Sequence, residues 1–388
     1  MKRNLRMISG SVLFIFLTCH LLNMAFGLVS VEAVEGARPF LTVPWTVPPL
    51  AQLLGISMLV HAILGLNAIY HRNTLRMSGY DQVQLISGLL IVPLLASHVV
   101  GIMGAKQIFH FDPDYRYILG FFWLDAPGEG LRQVVVVIVA WLHGSIGMFS
   151  WLRLKASWDR ISLFIYPLVV AVPVLALVGF VDAGNEVIAE RQAAAASQPV
   201  ETAPPQDYTE EELRALEAAI AERQQEVQRN LDFLSTIMWT VIGVYAVLVA
   251  ITFLARGIRL YRAHRNTVSV RYRNGPDFTT RAGASMLEIA RLNDVPHANL
   301  CRGRGRCGTC RIRVLDSDPP LPEPGKVEAA TLKRLGLGPD IRLACQIVPR
   351  PGSLLVERLV AADIGPGDLH ADETEADDHE EAAESVHA

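Results

Sequence analysis

Six stretches of this chain, near 7–28, 50–70, 83–104, 133–152, 161–181 and 233–255, are each apolar over about 20 residues, the length an α-helix needs to cross a bilayer. Hydrocarbon offers a peptide backbone no hydrogen-bond partner, so such segments fold as helices, and residues 1–257 read as an all-α six-helix transmembrane bundle. Charged residues make up 19% of the chain, against about 25% in soluble domains, which disfavours a soluble enzyme. Lys2, Arg3 and Arg6 ahead of the first run resemble a signal peptide, but its cleavage site is poor and a histidine inside the run suits a retained helix better.

Orientation follows from the basic residues. The amino terminus (Lys2, Arg3, Arg6), the second connection (Arg72, Arg76), the fourth (Arg153, Lys155, Arg160) and the exit from the sixth helix (Arg256, Arg259, Arg262, Arg265) are rich in them. The other connections are longer and sparser, so both termini are expected in the cytoplasm and the chain in a bacterial-type inner membrane, in contact with its lipid. The fifth connection, 182–232, reads as an Ala-, Gln-, Pro- and Thr-bearing linker. A charged helix over about 208–231 then extends the sixth span into solvent.

Ionisable residues inside a membrane helix are candidates for function. The first four helices each carry one histidine near mid-membrane: His20, His61, His98 and His143. At 1.5 Å of rise per residue, His20 and His98 lie roughly 20 and 22 Å from the cytoplasmic ends of helices running in the same direction. His61 and His143 lie roughly 15–17 Å in from the opposite face, again on parallel helices. His20 can therefore face His98, and His61 can face His143. Two bis-imidazole haem b sites explain this economically, with Gly55, Gly65, Gly88, Gly101, Gly144 and Gly147 leaving room for porphyrin and Arg72, Arg76 or Arg153 as candidates for its propionates. Purely structural hydrogen bonding and a proton or ion pathway are the other readings of the four histidines.

This pattern over about 7–255 resembles the dihaem cytochrome b anchors of succinate dehydrogenase and fumarate reductase, and the six-helix anchors of some bacterial adenylate cyclases. The resemblance implies pairing of the first histidine with the third and of the second with the fourth, in agreement with the depths.

Beyond the basic exit the pattern changes. Thr267 to Arg273 alternates with period two, Asn274-Gly275-Pro276 is a turn, and Phe278 to Arg281 returns as a strand. Ser285 caps a helix through about Asn293, and Cys310–Leu315 and Leu354–Leu359 read as further strands, giving a small α+β domain with one main helix across a mixed sheet. Within it Cys301, Cys307, Cys310 and Cys345 are spaced C-x5-C-x2-C-x34-C. Four thiolates suit one [2Fe–2S] cluster, two per iron, and Gly303, Gly305 and Gly308 let a loop wrap it. A zinc site more often shows two C-x2-C pairs or histidines.

Residues 266–360 thus resemble the [2Fe–2S] ferredoxins of β-grasp fold, with the adrenodoxin-type spacing, which implies one-electron transfer. Over 267–363 the domain has 15 basic and 10 acidic residues. Arg302, Arg304, Arg306, Arg311 and Arg313 crowd the motif and are expected to attract an acidic partner or anionic lipid headgroups. The stretch 365–388 holds nine acidic residues and no Lys or Arg, and is expected to be a disordered tail.

No Gly-rich phosphate loop follows a strand and opens a helix, so no nucleotide- or flavin-binding domain is visible, and no nucleophile triad or cyclase-like domain follows the ferredoxin region. The reading is a membrane-bound electron carrier between a soluble redox partner, the cluster, haem and a quinone, with no nucleic acid among its partners. A redox or quinone-state sensor without an output domain and a membrane-tethered ferredoxin without haem are the alternatives. A fluorescent protein fused after the last residue should be bright and alkaline phosphatase there inactive, with the opposite result for fusions near residue 205; reversed signals would overturn the orientation.

Overall fold

The computed structural model describes residues 2–153, 155, 157–197, 209–262 and 266–365, so the acidic tail lies outside the described residues. Among the described residues six helices are long and apolar enough to cross a membrane, as expected of a multi-pass membrane protein. They are α1 (Lys2–Ala25), α3 (Leu50–His71), α4 (Gly79–Gln107), α6 (Pro127–Leu152), α7 (Trp158–Ser197) and α8 (Glu210–Arg262). Their outer faces are apolar and exposed, as at Leu163 (72%) and Phe164 (70%), which suits a lipid solvent.

The chain divides into two compact units. The first comprises residues 1–66, 83–146 and 164–251. It holds a core of Leu21, Trp141, Val172 and Ala176, where the Trp141 indole N–H donates to the Val169 carbonyl at 2.7 Å. Two short helices, α2 (Val31–Leu41) and α5 (Tyr115–Gly120), lie in connections the sequence analysis left unstructured. Ser30 caps α2 by accepting from the Ala33 N–H at 3.0 Å, and Asp114 caps α5 by accepting from the Tyr117 N–H at 2.7 Å. The two pack Val31, Val34, Tyr115 and Leu119 against Ala183 and Val187.

That packing corrects the sequence reading of 182–197 as linker: α7 continues through it, because these residues are strong helix formers with a buried face. The charged extension of the sixth span holds, as α8 is one helix of 53 residues.

The second unit comprises residues 67–82, 147–163 and 252–388. Its sheet runs in the order β2-β1-β5-β3-β4, where β1 is Thr267–Tyr272, β2 Asp277–Arg281, β3 Arg311–Asp318, β4 Ile341–Leu343 and β5 Gly352–Arg358. β1 and β5 are parallel and the other pairs antiparallel. Period-two burial on β1 sends Val268, Val270 and Tyr272 into the core, where they meet Met286, Leu287 and Ile289 of α9 (Met286–Leu292). Ser285 and Glu288 form a capping box at the start of α9.

A second helix, α10 (Lys326–Arg334), corrects the expectation of one main helix. Its signal is weak in sequence because what fixes it is a long-range ion pair. Glu328 accepts from Arg342 Nε and Nη2, both at 2.9 Å, and from the Leu343 N–H at 2.8 Å. The two side chains are 2% and 9% exposed, so breaking the pair would strand a buried charge. Glu328→Ala is expected to destabilise this domain by about 3–5 kcal/mol, read as a lower denaturant midpoint, while exposed Glu323→Ala moves it by less than about 0.5 kcal/mol.

Candidate cofactor sites

In the second unit Cys301, Cys307, Cys310 and Cys345 converge at one end of the sheet, each 9% exposed or less. Cys310 immediately precedes β3 and Cys345 follows β4, so the β3–β4 ladder fixes two of the sulfurs. The other two stand on the loop 301–307, which turns left-handed at Arg302, Gly303 and Gly305. At Gly305 (φ +66) a Cβ would lie 2.9 Å from the Gln346 amide carbon, and the Gly305 carbonyl accepts from Thr331 Oγ1 at 2.5 Å. The loop is thus clamped from α10.

The Cys301 N–H donates to the Cys307 sulfur at 3.4 Å, and the electrostatics couple Cys301 with Cys307 and Cys310 with Cys345. The Cys301 thiol is pulled down to about 5, first by the hydrogen bond from Cys307 and then by backbone N–H groups of Arg306, Cys307 and Arg304. Donating to Cys301 pushes the Cys307 thiol up. Thr309 Oγ1 lies 3.1 Å from the Cys307 sulfur, and Gln346 Nε2 donates to the Cys345 sulfur at 3.4 Å. A pocket that stabilises thiolates by inward-pointing donors is what an anionic iron–sulfur cluster requires. Among the described residues no three His, Cys, Asp or Glu side chains are disposed about a single ion.

The first unit brings the four membrane histidines together in two pairs. The rings of His20 and His98 have centroids 6.0 Å apart, and those of His61 and His143 are 6.2 Å apart. The second pair sits in a matched cradle. His61 Nδ1 lies 3.2 Å from the Arg6 carbonyl and 3.3 Å from Ser9 Oγ, while His143 Nδ1 lies 3.0 Å from the Gln84 carbonyl and 3.2 Å from Ser87 Oγ. Carbonyls only accept, so each Nδ1 carries the proton and each Nε2 is left with its lone pair. A Cβ on Gly10 would stand 2.8 Å from His61 Cε1, and one on Gly88 the same distance from His143 Cε1, so the Cε1 edge of each ring approaches a glycine closely.

Around His20 and His98 the setting differs. Both Nδ1 atoms are buried without a hydrogen-bond partner, as is Gln133 Nε2, and all three residues line one largely apolar cavity. Arg38 and Lys106 also line it and share Asp112, at 3.1 and 3.5 Å.

The sequence analysis named the histidines but missed Ser9, Gly10 and Ser87, although a signal is there. Ile8-Ser9-Gly10 and Ile86-Ser87-Gly88 are the same tripeptide, and in each case a histidine follows ten residues after the glycine, at His20 and His98. Gly55, Gly65 and Gly101 face open space, while a Cβ on Gly144 would lie 2.3 Å from the Phe14 ring. Arg72, Arg76 and Arg153, expected to meet propionates, are engaged elsewhere: with Met77 Sδ, with the Leu292 carbonyl and Asp294, and with the Leu300 carbonyl.

Residues 272–350 match the family model of the 2Fe-2S iron-sulfur cluster binding domain, which supports an iron–sulfur electron carrier at this end of the chain. A solved structure, the ISC-like [2Fe-2S] ferredoxin FdxB from Pseudomonas putida, is similar at 23% identity over 26% of this chain and 97% of that one, with a TM-score of 0.23. Comparison with curated proteins gave no match. Gly305→Ala combines an unfavourable φ, at about 1–2 kcal/mol, with displacement of Gln346. It should shorten the lifetime of the cluster's visible absorbance roughly 5–30-fold at constant expression; an unchanged lifetime would show that the clamp does not hold the loop.

Proposed function

We propose that this chain is a membrane-bound electron carrier with a [2Fe–2S] cluster on Cys301, Cys307, Cys310 and Cys345, and haem b on His20 with His98 and on His61 with His143. It would serve a soluble redox partner on the cytoplasmic side of an inner membrane and a quinone in the lipid. When bound, cluster and haem supply one-electron chemistry at separate iron centres. The reading rests above all on the two histidine pairs, one residue from each of four consecutive spans.

Their spacing supports a metal between the rings: with imidazole nitrogen–metal bonds of about 2.0–2.1 Å, two rings facing across one ion have centroids roughly 6.3 Å apart. For His61 and His143 the carbonyls of Arg6 and Gln84 set the tautomer and hold the rings in place, as outer partners of metal-bound histidines do. His20 and His98 line one largely apolar cavity, the setting a porphyrin would occupy. Arg38 and Lys106 would receive the porphyrin carboxylates there, in the role sequence reasoning gave to arginines at the other face.

In the ferredoxin domain, Cys301 with Cys307 and Cys310 with Cys345 would each hold one iron, with N–H groups of the 301–307 loop directed at sulfur. Detergent-purified protein supplied with haem should then contain two haems b and one [2Fe–2S] per chain. His61→Ala and His98→Ala should each lower the haem content to one per chain and leave the cluster's electron paramagnetic resonance signal intact. A cluster without haem in the unaltered protein would leave a membrane-tethered ferredoxin, and haem unmoved by either substitution would refute the ligand assignment.

A further inference from the structure

The arginines of the cysteine loop invite an acidic soluble partner, yet no residue from 301 to 310 is exposed. What covers this loop belongs to the same unit of the same chain. The Arg302 side chain is 8% exposed and stands 3.6 Å from the Asp81 carboxylate, itself 12% exposed. The Arg302 guanidinium also lies over the Tyr80 ring, 5.2 Å from its centroid. Arg304 donates to the Ser150 carbonyl at 2.6 Å, and the Leu300 carbonyl accepts from Arg153. Leu300, Arg302 and Arg304, alternate positions at and beside the loop, are therefore held by Tyr80, Asp81, Ser150 and Arg153.

The contact extends along α9. Asn73 donates to Glu288 at 3.2 Å, and Arg76 donates to the Leu292 carbonyl and lies 3.8 Å from Asp294. The platform is itself built rather than slack. At the end of α8, Arg256 donates to the carbonyls of Arg72 and Asn73, while Arg259 bonds to the Tyr70 and Arg72 carbonyls and the Asn73 side chain.

We propose that segments 73–81 and 150–153, at the ends of α4 and α6, are the docking partner of the cluster face, an intramolecular seat keyed by Arg302 and Arg304 that shuts the cluster away from soluble partners. The inference rests on the iron–sulfur reading of the four cysteines and not on the haem reading. Burying Arg302 is tolerable only because Asp81 and Tyr80 meet it. At 3.6 Å that ion pair lacks a hydrogen bond, and Arg302 Nη1 has no hydrogen-bond partner, so the key can leave its seat without breaking a tight bidentate contact. A soluble protein must then either exchange electrons through another face or wait for the seat to open.

The test follows removal of cluster iron from the full chain in lipid nanodiscs by the bulky anionic chelator bathophenanthroline disulfonate, read as loss of visible absorbance. Asp81→Arg sets like charges face to face and should speed the loss about tenfold. Asp81→Arg with Arg302→Asp should bring the rate back towards that of the unaltered chain. Asp81→Arg reacting at the unaltered rate, or a double variant that assembles its cluster but recovers nothing, overturns the seat.

A second arm avoids altering the cysteine loop. Arg76→Cys and Asp294→Cys should be joined by a short bis-maleimide, and the linked chain should stay slow in 1 M salt while the unlinked chain speeds up. Failure to link, or equal salt response of both forms, also overturns the seat. An unaltered chain with no [2Fe–2S] absorbance would instead refute the iron–sulfur reading.

Discussion

Lipid hydrocarbon supplies no hydrogen-bond partner, and the amino-terminal part of this chain is organised around that fact. Backbone groups satisfy one another within helices, which leaves polar side chains inside the bundle to be explained one at a time. Trp141 finds the Val169 carbonyl, Ser150 Oγ donates to the Gly147 carbonyl at 2.7 Å, and His61 and His143 find carbonyls of the facing helices. A carbonyl in mid-helix is already used by its own ladder, so a histidine that reaches it must come very close. Glycine at the contact point, Gly10 in one case and Gly88 in the other, makes that approach possible.

The carboxyl-terminal domain solves the reverse problem. Four sulfurs that would repel one another as thiolates must be gathered away from water, and directed N–H groups, hydroxyls and amides offset that. Left-handed backbone at Arg302, Gly303 and Gly305 turns the peptide N–H groups inwards, and Thr309 and Gln346 add donors from outside the turn. The buried Glu328–Arg342 pair, set between α10 and β4, carries the far wall of the same loop through Thr331.

Much of this was legible in the sequence, for identifiable reasons. Apolar runs and period-two strands are local patterns, so six spans, strands β1, β2, β3 and β5, and the capped helix α9 could be read directly. Cysteine spacing is equally local, and helix rise alone was enough to match the depths of His20 with His98 and of His61 with His143. What escaped depends on partners far away in the chain. α10 carries one acidic residue, Glu328, among three basic ones and declares itself only through Arg342, while α2 and α5 are short segments stabilised by packing against α7. The loop arginines show the limit most clearly: composition gives the sign of a charge and the chemistry of its partner, an acid, but not that Asp81 of the same chain supplies it.

The repeated Ile-Ser-Gly followed by histidine ties the two histidine pairs to one another. α1 lends Ser9 and Gly10 to the His61 side and its own His20 to the other pair; α4 lends Ser87 and Gly88 to His143 and its own His98. Ten residues separate cradle glycine from histidine on both helices, about 15 Å of rise. The spacing between the pairs is therefore built into two helices at once, and neither can slide along its axis without disturbing both pairs.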